Sequence, residues 1–282
     1  MDQVARWSSS GLIRRFSEDI DLGLHRHDLG FSRERDPASP ELSRNQRDRL
    51  VTELKEVANR HIRESFLPGL DTAFEAGLDG APVFRLDPSN SDVIVFEYPR
   101  ALTEAVYSDN YVRPQVLLEL GAKSDHDPQV PGTIRPYAAE VFAEQFVSPT
   151  VDVPTLRAER TFWEKVTLLH ERAMRPSTRQ ADHFSRHYHD VLVLSGTPAG
   201  QSALANPALL LQVAEHKNIF FKVGGGVYRS AKPGTLRLIP PNEVLTALRT
   251  DYVRMREMLF DDPMPFDELL AGLRDLEVRI NS

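Results

Sequence analysis

The chain is 282 residues long, with 34 Lys and Arg against 41 Asp and Glu, a formal net charge of −7 and 41% hydrophobic residues, enough for a sizeable core and too many for a chain that stays unfolded. The absence of cysteine excludes a disulfide framework, cysteine-ligated zinc and thiol nucleophiles, and the acidic balance argues against a broad basic surface for indiscriminate DNA binding, though not against a local basic channel. No apolar run approaches the ~18 residues of a membrane-spanning helix, and the opening MDQVARWSSS lacks the apolar stretch of a secretory signal, so a cytoplasmic protein without membrane association is expected.

The first informative element is RRFSEDIDLGL, residues 14–24, which reads as a β-strand. Side chains alternate along a strand, so Ile20, Leu22 and Leu24 turn to the core while Asp19 and Asp21 project together from the other face, about 6.6 Å apart by strand rise. Two such carboxylates can share or bridge divalent ions, and an oxygen-only donor set suits Mg²⁺ or Mn²⁺ with substrate phosphates completing the shell. An exposed acidic strand end carries the same letters, so the pair alone decides nothing.

Leu50, Leu54, Val57 and Ile62 recur at roughly helical spacing amid dense charge and predict an amphipathic helix over Leu42–Phe66. Asp92–Tyr98 and Val116–Gly121 are short aliphatic runs between turn formers and predict an antiparallel strand pair. Glu119 is the lone acid of the second run, and buried there it demands a partner. That partner is either a metal shared with Asp19 and Asp21 or a basic side chain, Lys123 or Arg113. Glu97 poses the same question near the end of its strand.

From Leu156 onward the pattern turns helical, over Leu156–Arg172, Arg179–Leu194, Asn206–Ile219, Asn242–Leu259 and Phe266–Asn281, which sets a mixed first half against a helical second half with a boundary near residue 157. In ERTFWEKVTLLHER, residues 159–172, Phe162, Val166 and Leu169 form one apolar stripe. Lys165 falls beside it, where it either snorkels at the edge of a core or holds a phosphate as a point charge. In RQADHFSRHYHDVLVL, residues 179–194, His183, His187 and Asp190 stand at i, i+4 and i+7. That spacing allows zinc, but the first histidine lacks the glutamate of the H-E-x-x-H pattern. Asp190 otherwise pairs with Arg186, orients a lysine or activates a hydroxyl. Gly224–Gly226 lack the lysine-serine ending of a phosphate loop and read as a turn before Tyr228; Lys222, Arg229, Lys232 and Arg237 nearby form either a solvated loop or an RNA-backbone contact.

Six stretches run in order over almost the whole chain: GLIRRFSEDIDL (11–22), VLLELGAKS (116–124), RPYAAEVF (135–142), ERTFWEKVTLLHE (159–171), SRHYHDV (185–191) and DYVRMREMLFDDPMPFDELLAGL (251–273). In that combination the chain resembles the AbiEii/AbiGii-type nucleotidyltransferase toxins, the toxin halves of type IV toxin–antitoxin and abortive-infection systems. The resemblance implies an α+β fold: a polymerase-beta-like nucleotidyltransferase core over residues 1–157, then a helical C-terminal domain over residues 158–282. It implies that Asp19 and Asp21 hold Mg²⁺ (or Mn²⁺) with Glu119 as a third acid, and that Lys165 and Ser17 bind nucleotide. Asp190 would be an acid near the acceptor hydroxyl, making Asp19, Asp21, Lys165 and Asp190 the catalytic set. The implied reaction transfers NMP from an NTP to an RNA acceptor, tRNA foremost, and arrests growth until a separate antitoxin encoded nearby counters it.

Members of that family usually carry a Gly-Gly-Thr/Ser segment about ten residues before FSEDIDL, and its backbone amides cradle the nucleotide phosphates. The corresponding place here is Asp2-Gln3-Val4, so the core is expected to be N-terminally truncated relative to the family, with Ser8, Ser9 and Ser10 a weak substitute. That departure keeps a second reading open, a catalytically impaired nucleotide- or RNA-binding remnant of the same fold.

Overall fold

The structure is a computed structural model that describes residues 12–75, 83–98, 111–176, 183–221 and 223–282, together with the backbone of residues 3–6; Ser8–Ser10 and Lys222, singled out above, lie outside the described residues. The fold is α+β, and the chain divides into two compact units, Met1–Ser10 with Ser17–Leu156 and Gly11–Phe16 with Arg157–Ser282.

The first unit is built on a sheet. Its strands among the described residues are β1 Gln3–Arg6, β2 Asp19–Leu24, β3 Val83–Leu86, β4 Val93–Glu97, β5 Gln115–Gly121, β6 Gln129–Ile134 and β7 Val151–Leu156, in the order β3-β4-β5-β2-β1-β7-β6. The two aliphatic runs form the expected antiparallel pair, β4 with β5. On its other edge β5 runs parallel to β2, which is antiparallel to β1. β2 begins only at Asp19, so the strand expected from residue 14 is shorter. Within the second unit, residues 14–16 instead bond to residues 258–260: Phe16 donates to the Met258 carbonyl at 2.7 Å, and Phe260 donates to that of Arg14 at 3.2 Å.

Helix α1, Arg44–His61, starts where Ser43 and Gln46 exchange hydrogen bonds as a capping box, and it buries Val51, Leu54 and Ala58 on one face. The helix does not stop at Phe66. Pro68 cannot donate to the turn before it, and a wide turn over Ile62–Phe66, in which Leu67 donates to the Ile62 carbonyl, carries the chain into α2, Leu67–Glu75. A short helix α3, Ala138–Val141, precedes β7.

The second unit is helical: α4 Ala158–Met174, α5 Ser185–Ser195, α6 Pro198–Leu204, α7 Pro207–Phe220, α8 Asn242–Arg254 and α9 Phe266–Asn281. The apolar stripe of α4 is its centre, with Phe162, Trp163, Val166 and Leu169 buried where α4 packs against α5, α6 and α7. Helix α5 has no cap of its own. Buried Asp251 of α8 replaces one, its two oxygens accepting from the backbone N–H groups of His183 at 2.6 Å and Ser185 at 2.7 Å. Short α6 is capped by Thr197, whose hydroxyl accepts from Gly200 N–H at 3.1 Å, and a Cβ at Gly200 would overlap the Leu194 carbonyl.

Two glycine substitutions should therefore move stability in opposite directions. Gly69 lies inside α2, and the position its Cβ would take is open space, so Gly69→Ala should stabilise by about 0.5–1 kcal/mol. Gly200→Ala should destabilise by about 1–3 kcal/mol because a backbone carbonyl cannot move aside as a side chain can. Urea unfolding followed by circular dichroism checks both.

Candidate active site

In the first unit the chemistry-bearing residues come from β2 and β5. Parallel pairing sets Asp19 beside Leu117 and Asp21 beside Glu119, and residues paired in register point to the same face of the sheet. Asp19, Asp21 and Glu119 therefore share one face, while Ile20, Leu22 and Leu24 take the other. Asp19 and Asp21 are half-buried, as is Ser17 just before the strand. Glu119 is exposed, which corrects the premise that burial forces it to find a partner: the run Val116–Leu118 is itself only half-buried, and of this stretch Leu120 is fully enclosed. Glu97 is exposed too and pairs with Arg85 at 2.7 Å. Among the described residues, no group of three or more His, Asp or Glu side chains is set to hold a metal ion by itself. The donors on this face are carboxylate oxygens, the set a hard divalent cation takes.

In the second unit the centre is Asp190 on α5, whose side chain is entirely buried. The Arg15 guanidinium grips it with both prongs, Nε donating to Oδ1 at 2.8 Å and Nη2 to Oδ2 at 2.8 Å. From α4 the Lys165 ammonium donates to the same Oδ2 at 2.9 Å. Arg15 is brought there by the short antiparallel contact with residues 258–260, in which it bridges Leu259. The contact turns Arg14 outward to an exposed ion pair with Asp261, and Arg15 inward. Burial works to raise the Asp190 pKa, but Lys165 and Arg15 outweigh it, and the carboxyl is held well below the usual carboxylate range. The expected alternative of an Asp190–Arg186 pair gives way to these two longer-range cations.

The zinc reading fails on local geometry. His183 precedes α5 in a turn at φ 58°, so it does not share a helical face with His187 and Asp190. His187 Nδ1 is buried and makes no hydrogen bond among the described residues. Desolvation, then the charges of Lys165 and Arg186, hold its pKa well below the ordinary histidine value, so it is neutral in the fold. Gly224–Gly226 form the expected tight turn, with Gly225 and Gly226 at positive φ.

Sequence reasoning missed Arg15 and Asp251. A buried acid on an apolar helix face requires a cation from elsewhere, and the doubled arginine before FSEDID was the available signal.

Known proteins carry a related sequence. The model of one family, the nucleotidyl transferase AbiEii toxins of type IV toxin–antitoxin systems, matches residues 9–272. A search of the curated proteins found no match. No helix of the described residues is long and apolar enough to cross a membrane.

The charge trio predicts a pH signature. Asp190→Asn should cost about 3–5 kcal/mol at pH 7, since it leaves two cations facing a neutral amide. A depressed pKa contributes stability that is fully present above the unfolded value, about 3.9, and is lost as pH falls through the folded one, so the gap between wild type and variant should narrow only in strong acid. His187 acts in a higher window. As pH falls through about 6.5 the unfolded chain takes up a proton that the fold resists, so stability drops, and His187→Gln should flatten that slope between about pH 7 and 5 in urea titrations.

Proposed function

The chain belongs to the AbiEii family of nucleotidyl transferase toxins of type IV toxin–antitoxin systems, and from that premise we propose that it transfers NMP from an NTP to an RNA acceptor, tRNA foremost, with Mg²⁺ or Mn²⁺ as cofactor. The observation that carries the proposal is the shared sheet face of Asp19, Asp21 and Glu119. Carboxylate oxygens gathered on one sheet face are the donors that a hard divalent cation takes. Mg²⁺ is commonly held by one or two carboxylates with phosphates and waters filling the rest of its shell, so a pair of aspartates fits it without a closed three-acid cage. Asp19 and Asp21 are the proposed ligands, with Glu119 beside them and Ser17 facing the nucleotide. The ion, when bound, would stabilise charge on the attacking and leaving oxygens.

The rest of the chemistry asks little of the protein. An acceptor hydroxyl oxygen bonds to the α-phosphorus, the α–β anhydride bond breaks, pyrophosphate leaves, and the hydroxyl proton passes to water. Lys165 supplies a cation for the departing phosphates, its ammonium anchored on one side by Asp190 and part-exposed on the other. Asp190 itself is a poor proton acceptor, because it is sealed between two cations and its pKa is depressed. We therefore give Asp190 the task of holding Lys165 rather than of activating the acceptor. Growth arrest through blocked RNA, countered by a separate antitoxin encoded nearby, follows from this chemistry and the family.

Incubating the purified protein with Mg²⁺, each labelled NTP in turn and total tRNA should put label into RNA. Asp21→Asn should lower the rate by about a thousandfold with an unchanged melting temperature. If the wild type labels no RNA with any NTP yet binds nucleotide, the catalytically impaired remnant is the correct reading.

A further inference from the structure

We propose that Arg15 is a positioning residue of the transfer reaction, acting through Asp190 to keep the Lys165 ammonium oriented and electrostatically available to a polyphosphate. The inference rests on the phosphate-binding task proposed for Lys165, and it starts from charge. Asp190 alone would neutralise Lys165, leaving a buried, self-satisfied ion pair with little field to offer an anion. The second cation changes that balance. Asp190 divides its one negative charge between Arg15 and Lys165 and so neutralises Lys165 less completely, at the position where the Lys165 side chain keeps 19% of its surface exposed.

Geometry assigns the two cations different work. Arg15 is 9% exposed and spends its donors inside the protein, two on Asp190 and Nη1 on the Phe16 carbonyl at 2.8 Å. Its planar fork takes both carboxylate oxygens and so fixes the rotation of the Asp190 carboxyl group, which a point charge cannot do. With the carboxyl plane fixed, Oδ2 offers Lys165 one direction of approach at 2.9 Å. His189 Nδ1 also approaches that carboxylate, but only to 3.6 Å from Oδ1. The backbone of Arg15 is itself pinned by the Leu259 bridge and the Phe16 to Met258 hydrogen bond, so the fork is held from behind.

The test uses the full chain and two variants. Arg15→Lys keeps the charge and loses the fork; Arg15→Gln keeps a donor and loses the charge. Binding of inorganic tripolyphosphate with Mg²⁺ is measured by calorimetry, alongside melting temperatures and the KM for the NTP that supports transfer. Arg15→Lys should weaken tripolyphosphate about tenfold and raise KM more than it lowers kcat. Combined with Lys165→Ala it should add nothing to the loss from Lys165→Ala alone, because both changes remove one unit. Additive losses, or wild-type binding by Arg15→Lys, would overturn the proposal. Wild-type binding by Lys165→Ala would instead overturn the task given to Lys165. Arg15→Gln, which loses the fork and the charge together, should weaken tripolyphosphate more than Arg15→Lys does. An equal or smaller loss in Arg15→Gln would contradict the proposal.

Discussion

A carboxylate sealed in a protein interior has to be answered by charge, and in the helical unit that necessity organises everything around Asp190. Its burial would favour the neutral acid, yet Lys165 from α4 and Arg15 from the segment before β2 hold it ionised. To meet there, α4 must present Lys165 beside its apolar stripe, α5 must start where Asp251 caps it, and residues 14–16 must lie along residues 258–260. Those arrangements are costly for stability alone, since a well-packed apolar trio would often serve a core as well. Their presence is understandable if Lys165, sharing its carboxylate with Arg15, serves an anion.

The sheet unit shows the opposite sign of the same economy. Pairing β2 with β5 in parallel register concentrates carboxylates on one face. Core packing is left to the other face of β2 and to the flanking strand β4, whose Val93, Ile94 and Val95 are buried. An acidic face and a cationic cluster are the two things that metal-assisted phosphoryl chemistry asks of a protein, one for the ion and one for the leaving group.

Much of this was readable in the residues. Strict alternation in EDIDL gave the face of Asp19 and Asp21, and the stripe Phe162, Val166, Leu169 gave α4 and the flank on which Lys165 sits, because both patterns are local. The antiparallel β4–β5 pair and α9 were equally legible. Strands β6 and β7 were not, since Pro131, Gly132 and Pro154 depress strand propensity and only the partner strand restores it. Parallel pairing of β2 with β5 brings together residues about a hundred positions apart, and nothing in either run announces the register. The Arg15–Asp190 grip spans 175 positions and was invisible for the same reason, as was the cap that Asp251 lends to α5. The misjudged burial of Glu119 came from reading a strand's apolar letters as an enclosed strand, whereas Val116–Leu118 are only half-buried and Glu119 itself is exposed.

The acids of β2 and the lysine of α4 are proposed to serve one nucleotide, and every functional assignment made for them depends on that meeting. A crystal structure of the full chain with Mn²⁺ and a non-hydrolysable nucleoside triphosphate tests it most directly, because Mn²⁺ is located by its anomalous signal. Manganese is expected on the Asp19 and Asp21 carboxylates and the triphosphate tail against the Lys165 ammonium. Manganese away from both aspartates, or a triphosphate bound without touching Lys165, would contradict it.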